Sequence, residues 1–152
     1  MPNYNFDLDL PIAKKTEQEV AEILKRVYNA KIISFNHTNE FDILGEVNGK
    51  RFTVEVKEDF TCERTGNVGV EFSCRGKPSG INTTKADYYI YKIHTKEFIV
   101  FVQYPVWKLK RIINEIKFFR VVNGGDIGSD SRNYLFKFDV FIDNGKVIHY
   151  IW

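Results

Sequence analysis

Residues 41–57 read Phe41-Asp42-Ile43-Leu44-Gly45-Glu46-Val47-Asn48-Gly49-Lys50-Arg51-Phe52-Thr53-Val54-Glu55-Val56-Lys57. Two alternating segments flank Asn48-Gly49, the dipeptide that best tolerates the positive φ angles of a tight type I′ hairpin turn. A two-residue loop sets Val47 opposite Lys50, Glu46 opposite Arg51, Leu44 opposite Thr53 and Asp42 opposite Glu55. Side chains alternate along a strand, so Phe41, Ile43 and Val47 share a face with Phe52, Val54 and Val56. That face is apolar and predicts core. The opposite face carries Asp42, Glu55 and Lys57.

Two acids directly across a ladder have Cβ atoms roughly 5 Å apart and repel one another. Water and Lys57 can compensate them, as on any solvated hairpin face, or a bound cation can. Two carboxylates on rigid strands, with coordination positions left for water, suit Mg²⁺, a hard ion that prefers oxygen ligands. Lys57 emerges two residues beyond Glu55 on the same face, placed to orient a water nucleophile or to offset phosphate charge.

Asp42 followed after a hairpin by Glu55-Val56-Lys57 resembles the D…(E)xK signature of the PD-(D/E)XK nuclease superfamily, which includes restriction endonucleases, Holliday-junction resolvases of archaeal type and phage endonucleases. Phe41 stands where the proline of the family name would be. The resemblance spans roughly the first two-thirds of the chain. It implies an α/β fold with a restriction-endonuclease-like core, a mixed central β-sheet flanked by helices. It also implies metal-dependent hydrolysis of DNA phosphodiester bonds, with Asp42, Glu55 and Lys57 as catalytic residues.

The chain has 152 residues, the size of one ordinary domain, so a single nuclease-like domain over residues 1–152 is expected. Its 43% hydrophobic and 15% aromatic content argues against disorder. The formal net charge of +2 is near neutral, so a DNA-binding surface must be a local patch. No apolar run is long enough to span a membrane, and Met1–Leu10 lacks a secretory signal pattern; a cytoplasmic protein is the default. Cys62 and Cys74 have no zinc-site spacing and are expected to be free thiols, Cys74 buried in phase with Val68, Val70 and Phe72.

Met1–Leu10 reads as an extended arm, followed by a helix with Pro11 in its first turn, ending near Asn29. Val20, Ile23, Leu24, Val27 and Tyr28 fall on one stripe. The resemblance implies a further acid from this helix beside the metal. Glu17 extends the stripe and is the choice, ahead of Gln18 and Glu22; a solvated glutamate favourable to the helix dipole is the alternative. His37, in the polar segment before Asp42, reads as a loop residue.

Glu58–Asn67 is polar and turn-rich, and Asn67–Arg75 alternates as a strand. Glu71, on its polar face, is a candidate third metal or water ligand, or a partner for Arg75. The segment that follows carries Arg75, Lys77, Ser79, Thr83, Thr84 and Lys85 around two glycines. These are donors for phosphate, and the resemblance makes the segment a clamp on the DNA backbone beside the metal. Ordinary turn chemistry is the alternative.

Tyr88–Ile93 and Phe98–Gln103 read as adjacent strands. A helix from Pro105 to Ile116 has Val106, Leu109, Ile112, Ile113 and Ile116 on its apolar side. Tyr134–Ile142 and Lys146–Trp152 read as a closing hairpin, with Tyr150 and Trp152 sealing either the core or a homodimer contact. The function expected is a Mg²⁺- or Mn²⁺-dependent deoxyribonuclease, of phage or mobile-element type. The alternatives are a nucleic-acid-binding module with a nuclease-like fold that does not cut, and an interaction protein whose aromatic strands build an oligomer.

Overall fold

The computed structural model describes residues 6–36, 40–124 and 130–152; His37 and the first five residues lie outside them. Helix α1 (Phe6–Tyr28) starts ahead of Pro11, because Phe6, Leu10 and Ala13 already recur at helical spacing in the sequence. Of the expected extended arm, Phe6–Leu10 is helix. Asn29 closes α1 in the left-handed region, with φ 55°, and Ala30 N–H donates back to the Leu24 carbonyl. Val20, Ile23 and Leu24 are buried as expected, whereas Val27 is exposed.

Strands β1 (Lys31–Phe35), β2 (Ile43–Val47) and β3 (Lys50–Asp59) follow. The β2–β3 register is the predicted one: Val47 with Lys50, Glu46 with Arg51, Leu44 with Thr53, and Ile43 with Val54. Asn48 and Gly49 both have positive φ, 52° and 78°, as a two-residue turn of this hand requires. A short helix, α2 (Cys62–Thr65), leads into β4 (Asn67–Cys74) and β5 (Lys77–Pro78). A 3₁₀ turn at Gly80–Asn82 precedes β6 (Tyr88–His94), β7 (Ile99–Pro105) and α3 (Val106–Asn114). The chain continues through β8 (Arg120–Gly124), β9 (Ser131–Lys137), α4 (Phe138–Asn144) and β10 (Lys146–Ile151).

The fold is mixed α/β. A six-stranded sheet has the order β1-β2-β3-β6-β7-β10, and a four-stranded sheet the order β5-β4-β9-β8. In the larger sheet β3 and β6 run parallel and the other neighbours antiparallel. Helix α1 covers one face through Val20, Ile23 and Leu24 against Ile43, Val54, Ile90 and Phe101. On the other face, Tyr89, Tyr91 and Tyr104 pack with Val68, Val70 and Phe136 of the second sheet, Leu109 of α3 and Phe141 of α4.

Several expectations are corrected. The closing hairpin does not form: β9 pairs with β4 and β8, whereas β10 pairs with β7 in the other sheet. Between them lies α4, because Phe138, Phe141 and Ile142 have helical rather than alternating spacing. Ile116 is 71% exposed, since α3 stops at Asn114 and Ile116 takes a positive φ of 55°. The more buried thiol is Cys62, at the start of α2, and Cys74 is only partly buried; neither forms a disulfide. Tyr150 and Trp152 stack on each other at an exposed surface rather than sealing the core. Among the described residues, no helix is long and apolar enough to cross a membrane.

Candidate active site

The regular β2–β3 ladder ends at Ile43 with Val54, so Asp42 is not a ladder partner of Glu55. Asp42 N–H donates to the Val54 carbonyl at 2.9 Å, and its carboxylate accepts the Val56 N–H at 2.7 Å. Asp42 thus grips the backbone on both sides of Glu55. Lys57 Nζ lies 3.3 Å from Glu55 Oε1, with both side chains partly exposed. Alternation along β3 puts Glu55 and Lys57 on the face away from α1, and Val54 and Val56 on the face towards it.

Burial is the first cause that raises both hairpin acids above the ordinary carboxylate range. For Asp42 the Val56 N–H and then Lys57 oppose it; for Glu55 Lys57 opposes it and Asp42 adds to it. Glu17, half-buried on α1, is pushed up to about 7 by burial and then by the Asp42 and Glu55 charges. The structure therefore brings Glu17 within electrostatic reach of both hairpin acids. Gln18 and Glu22 point to solvent, and Glu22 pairs with Lys25.

A cavity of about 170 Å³ opens beside Lys57, with Asp59, Glu71, Tyr89, Tyr91 and Asn133 among its walls. Buried Tyr89 keeps its proton far above the ordinary phenol range, through burial first and then the Glu55 charge; Thr84 opposes this, and Glu71 and Asp42 add to it. Glu71 accepts a hydrogen bond from Ser79 Oγ at 3.0 Å rather than pairing with Arg75. Among the described residues, no group of three or more His, Cys, Asp and Glu side chains could hold a metal ion, so Asp42, Glu55 and Glu71 do not form a closed cage. Gly80 is required where it stands: its φ is +53°, and a Cβ there would lie 2.2 Å from the Glu71 carbonyl oxygen.

The segment expected to clamp DNA divides in two. Ser79, Thr83 and Thr84 hydroxyls are engaged locally, with Glu71, the Gly80 carbonyl and the Ala86 N–H. Arg75 and Lys77 are exposed, and Lys85 Nζ lies 3.7 Å from Glu40. A larger groove of about 510 Å³, walled by Tyr28, Phe52, Tyr88 and Trp107, holds none of the candidate acids.

Sequence reasoning passed over a partly buried polar network beside these acids. Thr16 Oγ1 donates to Glu58 Oε1 at 2.6 Å, and His94 Nε2 lies 2.6 Å from Glu58 Oε2. Lys92 Nζ lies 2.7 Å from Glu19 and 3.6 Å from Glu58. The available signal was positional: Thr16 and Glu19 share a helical face with Val20 and Ile23, and Lys92 interrupts an otherwise apolar strand.

The raised Glu17 sets a sign for pH. Its folded value of about 7 exceeds the ordinary 4.5, so the folded state holds more protons across that window. Stability conferred by the protonated acid is present at the acid end and is lost as pH rises towards 7. In metal-free buffer, Glu17→Gln is expected to lessen the fall in thermal stability between pH 5 and 8 by about 1 kcal/mol, after discounting for solvent screening. Parallel melts of both proteins with a chelator check this; equal falls would contradict it.

The acids, the lysine and the mixed sheet define a carboxylate-rich site on an α/β scaffold. The sequence matches no protein-family model and no curated protein. Among solved structures the chain is similar to a bacterial homing endonuclease, I-Ssp6803I, with 21% identity and a TM-score of 0.45. The similarity covers 61% of this chain and 66% of that one, just under two-thirds of its length.

Proposed function

We propose that the chain is a PD-(D/E)XK-type nuclease that hydrolyses DNA phosphodiester bonds with Mg²⁺ or Mn²⁺. The observation that carries this reading is Asp42 fixed across the backbone on either side of Glu55, with Lys57 3.3 Å from the Glu55 carboxylate. The donor set fits such an ion: it is all oxygen, partly withdrawn from water, and richer in negative charge than Lys57 can offset. Asp42 and Glu55 would hold the ion, Glu17 would stand beside them, and Glu71 would act from the cavity wall. When bound, the ion supplies charge neutralisation at the phosphate and a more acidic water.

The chain's own groups supply the rest. Lys57 has three N–H donors with which to orient an attacking water and offset charge on the five-coordinate phosphorus. As the water oxygen bonds to phosphorus and gives its proton to solvent, the bond to the leaving sugar oxygen breaks and that oxygen takes up a proton from solvent. Without a bound ion, burial and then the Asp42 and Glu55 charges push Glu17 up to about 7, and an ion held by those acids would relieve the second cause. Arg75, Lys77 and Lys85 are the cations this segment offers to DNA phosphates, while the hydroxyls of Ser79, Thr83 and Thr84 shape its turn.

Purified protein incubated with supercoiled, linear, single-stranded and four-way-junction DNA is expected to cut with Mg²⁺ or Mn²⁺ and not with EDTA. Cutting that is unchanged by EDTA rejects the mechanism. Binding without cutting under every condition points instead to a DNA-binding module. For the clamp, Arg75→Ala with Lys77→Ala is expected to reduce the dependence of log affinity on log salt by about 2, near 0.9 for each phosphate no longer neutralised. An unchanged slope, from fluorescence anisotropy across a salt series, removes both residues from the interface.

A further inference from the structure

The polar network between α1 and the sheet lies where an apolar contact would be expected. Thr16 continues the stripe of Val20, Ile23 and Leu24, yet it is 2% exposed and spends its hydroxyl on Glu58. Glu58 follows Lys57 in β3, so it points to the α1 face, opposite the face of Glu55 and Lys57. In the parallel register Glu58 pairs with Lys92, and His94 lies on the same face two residues on. The side chains of Lys92, Glu58 and His94 are 9%, 12% and 20% exposed, and Phe60 stacks on the His94 ring at 4.5 Å. Among the described residues, no buried side-chain nitrogen or oxygen lacks a hydrogen-bond partner.

This arrangement joins two points of the site from behind. Thr16 is the neighbour of Glu17, and Glu58 is the neighbour of Lys57. One hydrogen bond of 2.6 Å therefore ties the helix that carries the third acid to the strand that carries Glu55 and the lysine. Lys92, held by Glu19 and Glu58, makes a second tie between the same helix and β6. A partly buried network whose members are hydrogen-bonded to one another specifies one arrangement, because a shift of α1 along the sheet takes Thr16 from Glu58 and Glu19 from Lys92. An apolar contact would resist sliding less strongly.

We infer that Thr16 and Glu58 are positioning residues: their hydrogen bond, braced by Lys92 and His94, fixes where Glu17 stands relative to Asp42 and Glu55. This rests on the proposed nuclease site, of which it is a refinement. The expected consequence is directional. Loosening the tie impairs the step that needs all three acids, while the DNA contacts remain.

The test is a set of variants measured below their melting temperatures. Thr16→Val removes the hydroxyl at constant shape, and Thr16→Ser restores it. Thr16→Val is expected to lower kcat for DNA nicking about tenfold with KM unchanged, and to raise severalfold the Mn²⁺ concentration that half-saturates thermal stabilisation. Thr16→Ser is expected to recover both values. In a Glu17→Gln background, Thr16→Val is expected to change neither, because the group it positions is gone. Equal effects in the two backgrounds, or an unchanged kcat and Mn²⁺ midpoint, overturn the inference. A protein that binds Mn²⁺ with this pattern but cuts no DNA refutes the nuclease reading and keeps the inference. A protein that neither cuts DNA nor is stabilised by Mn²⁺ refutes both.

Discussion

Glu55→Gln is expected to reduce metal-dependent DNA nicking by roughly 10²- to 10³-fold while leaving DNA affinity within a few-fold of the parent. Glutamine keeps the shape of the side chain and one acceptor oxygen, but it has no charge with which to hold a cation or pair with Lys57. The fold should tolerate it, since the charged form of Glu55 is disfavoured by burial. Lys57→Ala should cost about as much, and the double variant little more, because groups that act together do not contribute additively. Asp42→Asn should be equally inactive yet folded, as the amide oxygen can still accept the Val56 N–H. Asp42→Ala should also lose stability, because that hydrogen bond is 2.7 Å long and partly buried. Single-turnover nicking of supercoiled DNA, with anisotropy for affinity, separates the outcomes. Activity of Glu55→Gln within tenfold of the parent would exclude this carboxylate from the reaction.

The second large effect concerns stability. Phe141→Ala is expected to cost about 3–5 kcal/mol, the range for deleting a fully buried aromatic ring. Phe141 is 0% exposed and packs against Tyr91, Tyr104 and Phe136 at centroid distances of 5.0, 4.7 and 5.8 Å. Those partners belong to both sheets, so the ring is a junction between them. In addition, the Tyr104 hydroxyl donates to the Phe141 carbonyl, and displacement of α4 would leave that buried hydroxyl unsatisfied. A fall in melting temperature on the order of 10 °C should follow. Hydrogen exchange should quicken most in β4, β8 and β9, and less in β1–β3, which pack against α1 instead. A loss below about 1 kcal/mol would show that the cavity collapses around the missing ring.

What is legible in the sequence is what short-range chemistry determines. Asn48-Gly49 fixes a turn, the turn fixes a register, and alternation then puts Glu55 and Lys57 on one face. Asp42 is less simple than its neighbours. They alternate, but the residue itself leaves the ladder and uses its carboxylate to hold Val56. The second sheet is illegible because β4 meets β9 only across a long stretch of intervening chain, and no local pattern encodes that pairing. Helix α4 reads as strand because phenylalanine, valine and isoleucine favour strands. Its three-residue spacing is too brief to outweigh that preference. Ser79, Thr83 and Thr84 show why hydroxyls in a loop are weak predictors of phosphate contacts: here the turn consumes them. Lys92 is hidden for the opposite reason, as a cation in an apolar strand has meaning only once Glu19 and Glu58 are seen around it.

The two neighbours of β3 differ in how far the chain must travel to reach them. β2 is reached through a bend of two residues, whereas β6 arrives only after α2, β4 and β5 have been traversed. A local ribbon of this kind closes within roughly 1–10 μs, while distant pairings come later. In a refolding chain, Asp42 and Glu55 therefore start fully hydrated and ionised, and the shedding of their hydration shells falls on the later docking event. Because docking favours the protonated acids, refolding from denaturant should quicken as the solution is made mildly acidic.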